Sequence, residues 1–238
     1  MFLFRTSPRL EDCAFFGSLA DCHCHILPGV DDGVGTPRES FLILEKYAAL
    51  GISEVWFTPH IMEDVPNTTA ALKQRFAELQ SAYSGPIRLQ LSAEYMLDHL
   101  FASRFDSNDL LPWGNGHDSV LVETSIFSAP QGFRTMLGKI SAKGYNPVLA
   151  HPERYRYMDE DDYMQIRRQG VEMQLNLFSL VGMYGKDVQQ KAETLLKKGL
   201  YSHLGTDLHS YNSLEWALKR RINRKTLELL NGLCTAKD

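Results

Sequence analysis

The chain of 238 residues has few cysteines, no long apolar run and no excess of positive charge. No stretch approaches the roughly 20 consecutive apolar residues that a membrane-spanning helix needs, so no membrane insertion is expected. The four cysteines, at positions 13, 22, 24 and 234, lack the spacing of a secreted disulfide scaffold and point to a reduced, cytoplasmic setting. Arg5, Arg9, Glu11 and Asp12 interrupt the apolar opening, which argues against a signal peptide. With 25 Lys and Arg against 29 Asp and Glu, the formal charge of −4 argues against a nucleic-acid partner. Low-complexity tracts and linker-like stretches are also missing. One domain over residues 1–238, large enough to bury a sizeable core, is the expectation.

What is present is an alternation. Short apolar segments predict strands at 19–24, 53–58, 87–92, 118–124, 146–150, 171–176 and 201–206. Helical periodicity fills the intervals at 38–50, 68–83, 97–106, 130–143, 159–169 and 185–198, and again at 213–231, with Asn67 a possible cap for the second helix. Gly51, Gly144, Gly170 and Gly199 each fall between a helix and the next strand, where a left-handed cap is needed. Seven strands alternating with helices predict an α/β parallel sheet, closed or nearly closed into a TIM-like barrel. Residues 106–117 read as the most loop-like part.

In such a barrel the chemistry gathers at the carboxyl ends of the strands. Those ends carry His23 and His25, His60, Glu94, Glu123, His151, Asn176, and Asp207 with His209. Five of the eight histidines fall there. So many carboxylates brought together would repel one another unless cations were bound, which points to a metal site. The His, Asp and Glu donor set suits Mn²⁺, Fe, Zn²⁺ or Mg²⁺ and exceeds what one ion needs, so two to three ions per chain are implied. In "DCHCHILPGVDDG" (21–33), strand alternation sets His23 and His25 on one face and Cys22 and Cys24 on the other, packed as small hydrophobes against helices. Asp32 in the following turn is the expected ligand, with Asp31 capping the turn or meeting solvent. Arg154, three residues past His151, suits an anionic substrate, and Tyr95, Phe127, Tyr155 and Tyr157 are candidate walls for a ring-bearing one.

The ordered motifs "DCHCH…DDG", "TPH", "AEYM", "LVETS", "LAHPERY" and "GTDLH" resemble the PHP (polymerase and histidinol phosphatase) superfamily. Within it they resemble the bacterial capsule-regulating protein-tyrosine phosphatases, the CpsB/YwqE-like group, from about residue 19 to 212. The resemblance implies a distorted (β/α)7 barrel with a three-metal site, often of manganese or iron. Its ligands would be His23, His25, Asp32, His60, Glu94, Glu123, His151, Asp207 and His209, with Asp207 and His209 also catalytic and Arg154 binding the phosphate. It further implies His23, His25 and Asp207 on one ion, with Glu94 bridging to a second that Glu123 and His151 complete. Asp32, His60 and His209 would hold the third. The implied reaction is hydrolysis of phosphotyrosine by metal-activated water, on a partner such as a bacterial tyrosine autokinase in capsule or exopolysaccharide synthesis. A small-molecule phosphatase of the histidinol-phosphatase type is the alternative on the same fold. No cysteine has an arginine six positions later, so a Cys-x5-Arg phosphatase loop is absent. One family feature is missing: beyond His209 no arginine occurs until Arg220, and Lys186 is a weaker candidate for a second anion-binding group.

Overall fold

The structure, a computed structural model, describes residues 7–114 and 116–235, the side chains of residues 234 and 235 excepted. Met1–Thr6 at the amino end, with Arg5, and the Cys234 side chain thus lie outside the described residues.

Among the described residues, nine short strands, β1 (Ala20–Cys24), β2 (Glu54–Phe57), β3 (His60–Ile61), β4 (Arg88–Leu91), β5 (Glu94–Met96), β6 (Ser119–Glu123), β7 (Asn146–Ala150), β8 (Glu172–Asn176) and β9 (His203–Gly205), all pair in parallel. They form two runs, β1-β2-β4 and β3-β5-β6-β7-β8-β9. Only Thr58–Pro59 separates β2 from β3, and only Ser92–Ala93 separates β4 from β5. Hydrogen bonds from Ser92 N to Phe57 O (2.8 Å) and Glu94 N to Pro59 O (3.1 Å) carry the pairing across both breaks. The runs are therefore one curled parallel sheet in which two of the seven expected strands are kinked. Pro59 explains one kink, because it has no N–H to give to the ladder.

Eight α-helices among the described residues accompany the strands: α1 (Pro37–Leu50), α2 (Thr69–Ala82), α3 (His99–Asp106), α4 (Phe133–Ala142), α5 (Glu160–Arg168), α6 (Lys186–Lys197), α7 (Tyr211–Leu218) and α8 (Arg224–Thr235). All four predicted cap glycines have positive φ, from 65° to 94°. Two helix expectations need correction. Residues 213–231 form two helices, because the chain between α7 and α8 turns aside to bridge Arg221 with Arg9. Asn67 is not the cap of α2: the Thr68 side chain accepts from Ala71 N, while Asn67 Nδ2 donates to Val30 O and His60 O.

The central strands β6, β7 and β8 bury both faces. Val55, Val120, Val122 and Leu149 belong to the large core shared with the helices. Their neighbours Trp56, Leu121, Val148 and Ala150 form a separate cluster inside the curl, with Cys22 and Trp113. Glu123 lies two residues beyond Leu121 and so shares its inward face. The apolar cluster is thus a floor under the carboxyl ends of the strands.

In β1 the alternation fails. The pairing with β2 shifts register between Asp21 and Cys24, as at a β-bulge. Cys22 consequently joins the inner floor, while Cys24 joins the outer core. The expected division of cysteines from histidines holds for Cys24 but not for Cys22. Asp21, fully buried, accepts from Thr206 N, Thr206 Oγ1 and Tyr47 OH, which ties β1 to α1 and to the end of β9. Asp207 N donates to His23 O and His25 N to Leu208 O, so the last strand also runs beside the first.

Candidate metal centre

Above the floor, eight of the nine expected ligands converge with little solvent. His23, His25 and Glu94 are fully buried, and His151, Asp207 and Glu123 nearly so. Glu94 Oε2 lies 3.2 Å from His23 Nε2, 3.3 Å from His25 Nε2 and 3.2 Å from His60 Nδ1. Asp207 Oδ1 lies 3.5 Å from His23 Nε2 and 3.3 Å from His25 Nε2. Glu123 Oε1 is 3.1 Å from His60 Nδ1, and His151 Nε2 is 2.9 Å from Glu94 Oε1. Asp32 is the exposed member, its Oδ1 3.5 Å from both His60 Nε2 and His209 Nε2.

The donor atoms fall into three groups able to hold an ion: His23, His25, Glu94 and Asp207; His25, Asp32, His60 and His209; and His60, Glu94 and Glu123. The first two carry the implied first and third sets, with His25 shared between them. The third differs from expectation: His60 stands with Glu94 and Glu123, while His151 touches both carboxylates, at 2.9 and 3.8 Å, outside that group.

These residues fit metal ions on a test independent of any resemblance. Glu94 Oε2, Glu123 Oε1 and His60 Nδ1 are buried and make no hydrogen bond, although they face one another at 3.1–3.2 Å. Buried polar atoms left so are costly unless a ligand satisfies them. Oxygen and imidazole nitrogen predominate, and no thiolate joins, which suits first-row divalent cations.

Neighbours hold several of the donors in place. His25 Nδ1 lies 2.9 Å from Asp31 Oδ2, which also accepts from His60 N, while Asp31 Oδ1 accepts from Gly33 N. Asp31 thus caps its turn as expected and, in addition, orients His25; it does not meet solvent. Gln174 Oε1 lies 2.9 Å from His23 Nδ1 and does for His23 what Asp31 does for His25. Asp207 Oδ2, turned from the histidines, accepts from Arg154 Nη1 (2.9 Å), Asn176 Nδ2 (2.9 Å) and Tyr184 OH (3.3 Å). His151 and Asp207 have φ of 33° and 51°, a left-handed conformation that costs non-glycine residues about 1–3 kcal/mol each and clusters at functional sites.

The electrostatics follow from the crowding. Burial alone would lower the pKa of His23, but Glu94 and Asp207 beside it push it up to about 9. His25 is raised in the same way, against burial, by Asp207, Asp31 and Glu94. Glu94 and Asp207 are held far below the usual carboxylate range, against their burial, by His23 and the other imidazoles. Asp32 falls to about 2, chiefly through its hydrogen bond with His209. Protons and cations therefore compete for the same atoms.

Sequence reasoning missed Gln174, Tyr184 and Glu153. Gln174 shares the polar face of "VEMQLN" with Glu172 and Asn176, and this alternation, which ends at the strand's carboxyl end, is its signal. The aromatic walls need correction. Tyr95 and Tyr155 are buried in the core, where the Tyr95 hydroxyl accepts from Leu111 N and the Tyr155 hydroxyl donates to Ala150 O. Neither presents a face to a ligand. Phe127, 65% exposed, and the half-buried Tyr157 remain at the mouth. Arg220 lies over the Trp216 ring.

Comparison with known proteins bears on this centre. Residues 19–226 match the model of the family described as capsular polysaccharide synthesis, CpsB/CapC. The chain is 27% identical over 198 residues to the tyrosine-protein phosphatase YwqE of Bacillus subtilis, covering 81% of this chain and 78% of that protein. It is 24% identical over 208 residues to the tyrosine-protein phosphatase CpsB of Streptococcus pneumoniae, covering 82% and 84%. Among solved structures, the fold is similar to a chain from the study of YwqE and CpsB, described as unique metal-dependent tyrosine phosphatases. That match has TM-score 0.78 and 24% identity, over 90% of this chain and 87% of the other. A histidinol phosphate phosphatase from Lactococcus lactis, solved with zinc, L-histidinol and phosphate, is similar at TM-score 0.54 and 17% identity, over 91% and 92%.

Proposed function

Because the chain belongs to the CpsB/CapC family of capsular polysaccharide synthesis, we propose that it is a metal-dependent protein-tyrosine phosphatase, a phosphoric monoester hydrolase. The observation that carries this reading is Glu94 Oε2, buried without a hydrogen bond and ringed by three imidazole nitrogens at 3.2–3.3 Å. The substrate is phosphotyrosine on a protein, and a bacterial tyrosine autokinase is the partner that fits a capsule or exopolysaccharide context. No helix among the described residues is long and apolar enough to cross a membrane, in keeping with a cytoplasmic site of action.

We read the fold as a distorted (β/α)7 barrel of PHP type in one domain, 1–238. The hydrogen bonds from Asp207 N to His23 O and from His25 N to Leu208 O support closure of the sheet. His23, His25, Asp32, His60, Glu94, Glu123, His151, Asp207 and His209 would hold two to three ions, Mn²⁺ first, with Fe, Zn²⁺ or Mg²⁺ as substitutes. When bound, these ions supply Lewis acidity toward phosphate oxygens and an activated water.

The chain's own residues do the rest. Arg154 is anchored by one nitrogen on Asp207 and lies 4.6 Å over the Tyr184 ring, which leaves its other donors for phosphoryl oxygens. Asp207 thereby couples the anion-binding arginine to the ligand histidines. His209 Nδ1 lies 2.8 Å from the Asp207 carbonyl oxygen, which turns Nε2 toward Asp32 and the mouth. A tyrosine leaving group has a pKa near 10 and departs with less need of a proton than an alkyl alcohol. Cys13 and Cys24 take no nucleophilic part, since burial pushes the Cys13 thiol up to about 11 and raises the Cys24 thiol well above its ordinary value.

Elemental analysis of the purified protein, paired with turnover of a phosphotyrosine peptide, tests the reading. Two to three equivalents of metal with turnover support it; an inert protein under Mn²⁺, Fe²⁺, Zn²⁺ and Mg²⁺ overturns it. The likeness to histidinol phosphate phosphatase favours a second reading, a small-molecule phosphatase. Faster turnover of histidinol phosphate than of the peptide would select that one.

A further inference from the structure

Arg154 and Tyr184 line two cavities at once. On one side is a recess of about 290 Å³ that contains Asp207 and His209. On the other is a cavity of about 460 Å³ whose outer wall carries Arg156 and Lys186. Among the described residues neither cation has a carboxylate partner. The Arg156 guanidinium lies 5.0 Å over the exposed ring of Phe127, and Lys186 projects from the start of α6.

The other charged groups of the cavity are accounted for. Lys191 Nζ donates to Tyr155 O, and the Glu153 carboxylate accepts from Asn176 N, Ser179 Oγ and Tyr201 OH. Asp187 is the one exposed acid in the lining. A chain with a formal charge of −4 thus gathers two uncommitted cations beside the anion-binding arginine. Stacking on an aromatic face also suits recognition, because it holds a guanidinium plane and leaves its edge free for a carboxylate or phosphate.

We propose that this cavity is a second anion subsite, binding a carboxylate or phosphate that the substrate chain carries close to the phosphotyrosine. The proposal rests on the tyrosine-phosphatase reading. It assigns Arg156 and Lys186 to substrate choice and leaves the phosphoryl group undergoing reaction to Arg154.

The test measures kcat/KM of the metal-loaded enzyme on phosphotyrosine peptides that differ in one flanking residue: alanine, glutamate, phosphotyrosine or lysine. The expected advantage of the anionic flanks over alanine is about fivefold, the scale of exposed ion pairs. In the double variant R156A/K186A the ratio should fall to about one. The charge-reversed variant R156E/K186E should prefer the lysine flank, a gain that misfolding cannot produce. A glutamate advantage as large as the phosphotyrosine one identifies the ligand as any anion; an advantage for phosphotyrosine alone identifies a second phosphate. Equal kcat/KM on all four peptides overturns the subsite while the phosphatase reading stands, whereas no turnover of any peptide overturns both.

Discussion

The inward face of the sheet has two levels built from the same strands. At the lower level Cys22, Trp56, Trp113, Leu121, Val148 and Ala150 pack against one another as an apolar floor. One or two residues further on, the same strands present His23, Glu123 and His151, and beside them Glu94 Oε2 and Glu123 Oε1 are buried with no hydrogen bond. The floor buries apolar area and contributes stability. The level above spends stability on unsatisfied carboxylates and on left-handed backbone at His151 and Asp207. Fold and chemistry are therefore separated by height along the strands, and substitutions at the two levels should fail in different ways.

The largest effect is expected above the floor. Asp207→Asn removes charge from the group that links His23 and His25 to Arg154, and kcat/KM on a phosphotyrosine peptide should drop by about 10³-fold. Circular dichroism and Tm should stay near the parent; a variant retaining a tenth of the activity would break the link. Next comes the floor. Trp56→Ala should cost about 3–5 kcal/mol of stability by denaturant titration, yet leave kcat per folded molecule near the parent. If instead kcat collapsed at full occupancy of the folded state, the two levels would not be independent.

Gln174→Ala sits at the boundary between them. It frees His23 Nδ1 and should weaken metal affinity roughly 10–100-fold in a competition titration, with a smaller stability loss than Trp56→Ala. The smallest effect is a slope. In chelated protein His23 titrates near 9 instead of 6.5, so its pairs with Glu94 and Asp207 stabilise fully below about 6.5 and lose that contribution as pH rises through 9. Bound cations need the imidazoles deprotonated, which reverses the sign. Tm against pH should accordingly fall over this window for chelated protein and not for loaded protein; parallel curves would count against competition between protons and metal.

Much of this was legible because the elements repeat. Each predicted strand is a short segment with a polar residue at or just beyond its end, and each predicted cap glycine does take the left-handed conformation. The failures have local causes. Residues 213–231 keep helical periodicity across the break that Arg221 makes in bridging to Arg9, a partner more than two hundred residues away. Tyr95, which lies within β5, and Tyr155, beyond the end of β7, turn into the core, since Leu111 N and Ala150 O meet their hydroxyls there. Glu153 looks like a surface acid in "HPERY", yet it is buried and bonded to Asn176, Ser179 and Tyr201. Pattern reports which way a side chain faces; it does not report which distant group satisfies it.

The bulge in β1 has a counterpart far along the chain. A regular strand sends a side chain inward at every second residue, whereas here Cys22 and His23 both point inward, one filling the floor and the other the metal level. Room for that extra inward side chain exists because β9 has none at position 205: a Cβ on Gly205 would lie 2.5 Å from the His23 Cβ and 2.9 Å from Gln174 Nε2. The bulge and the glycine are two halves of one heritable trait. A side chain at position 205 would displace His23 from the metal level, so the bulge in the first strand depends on the glycine in the last.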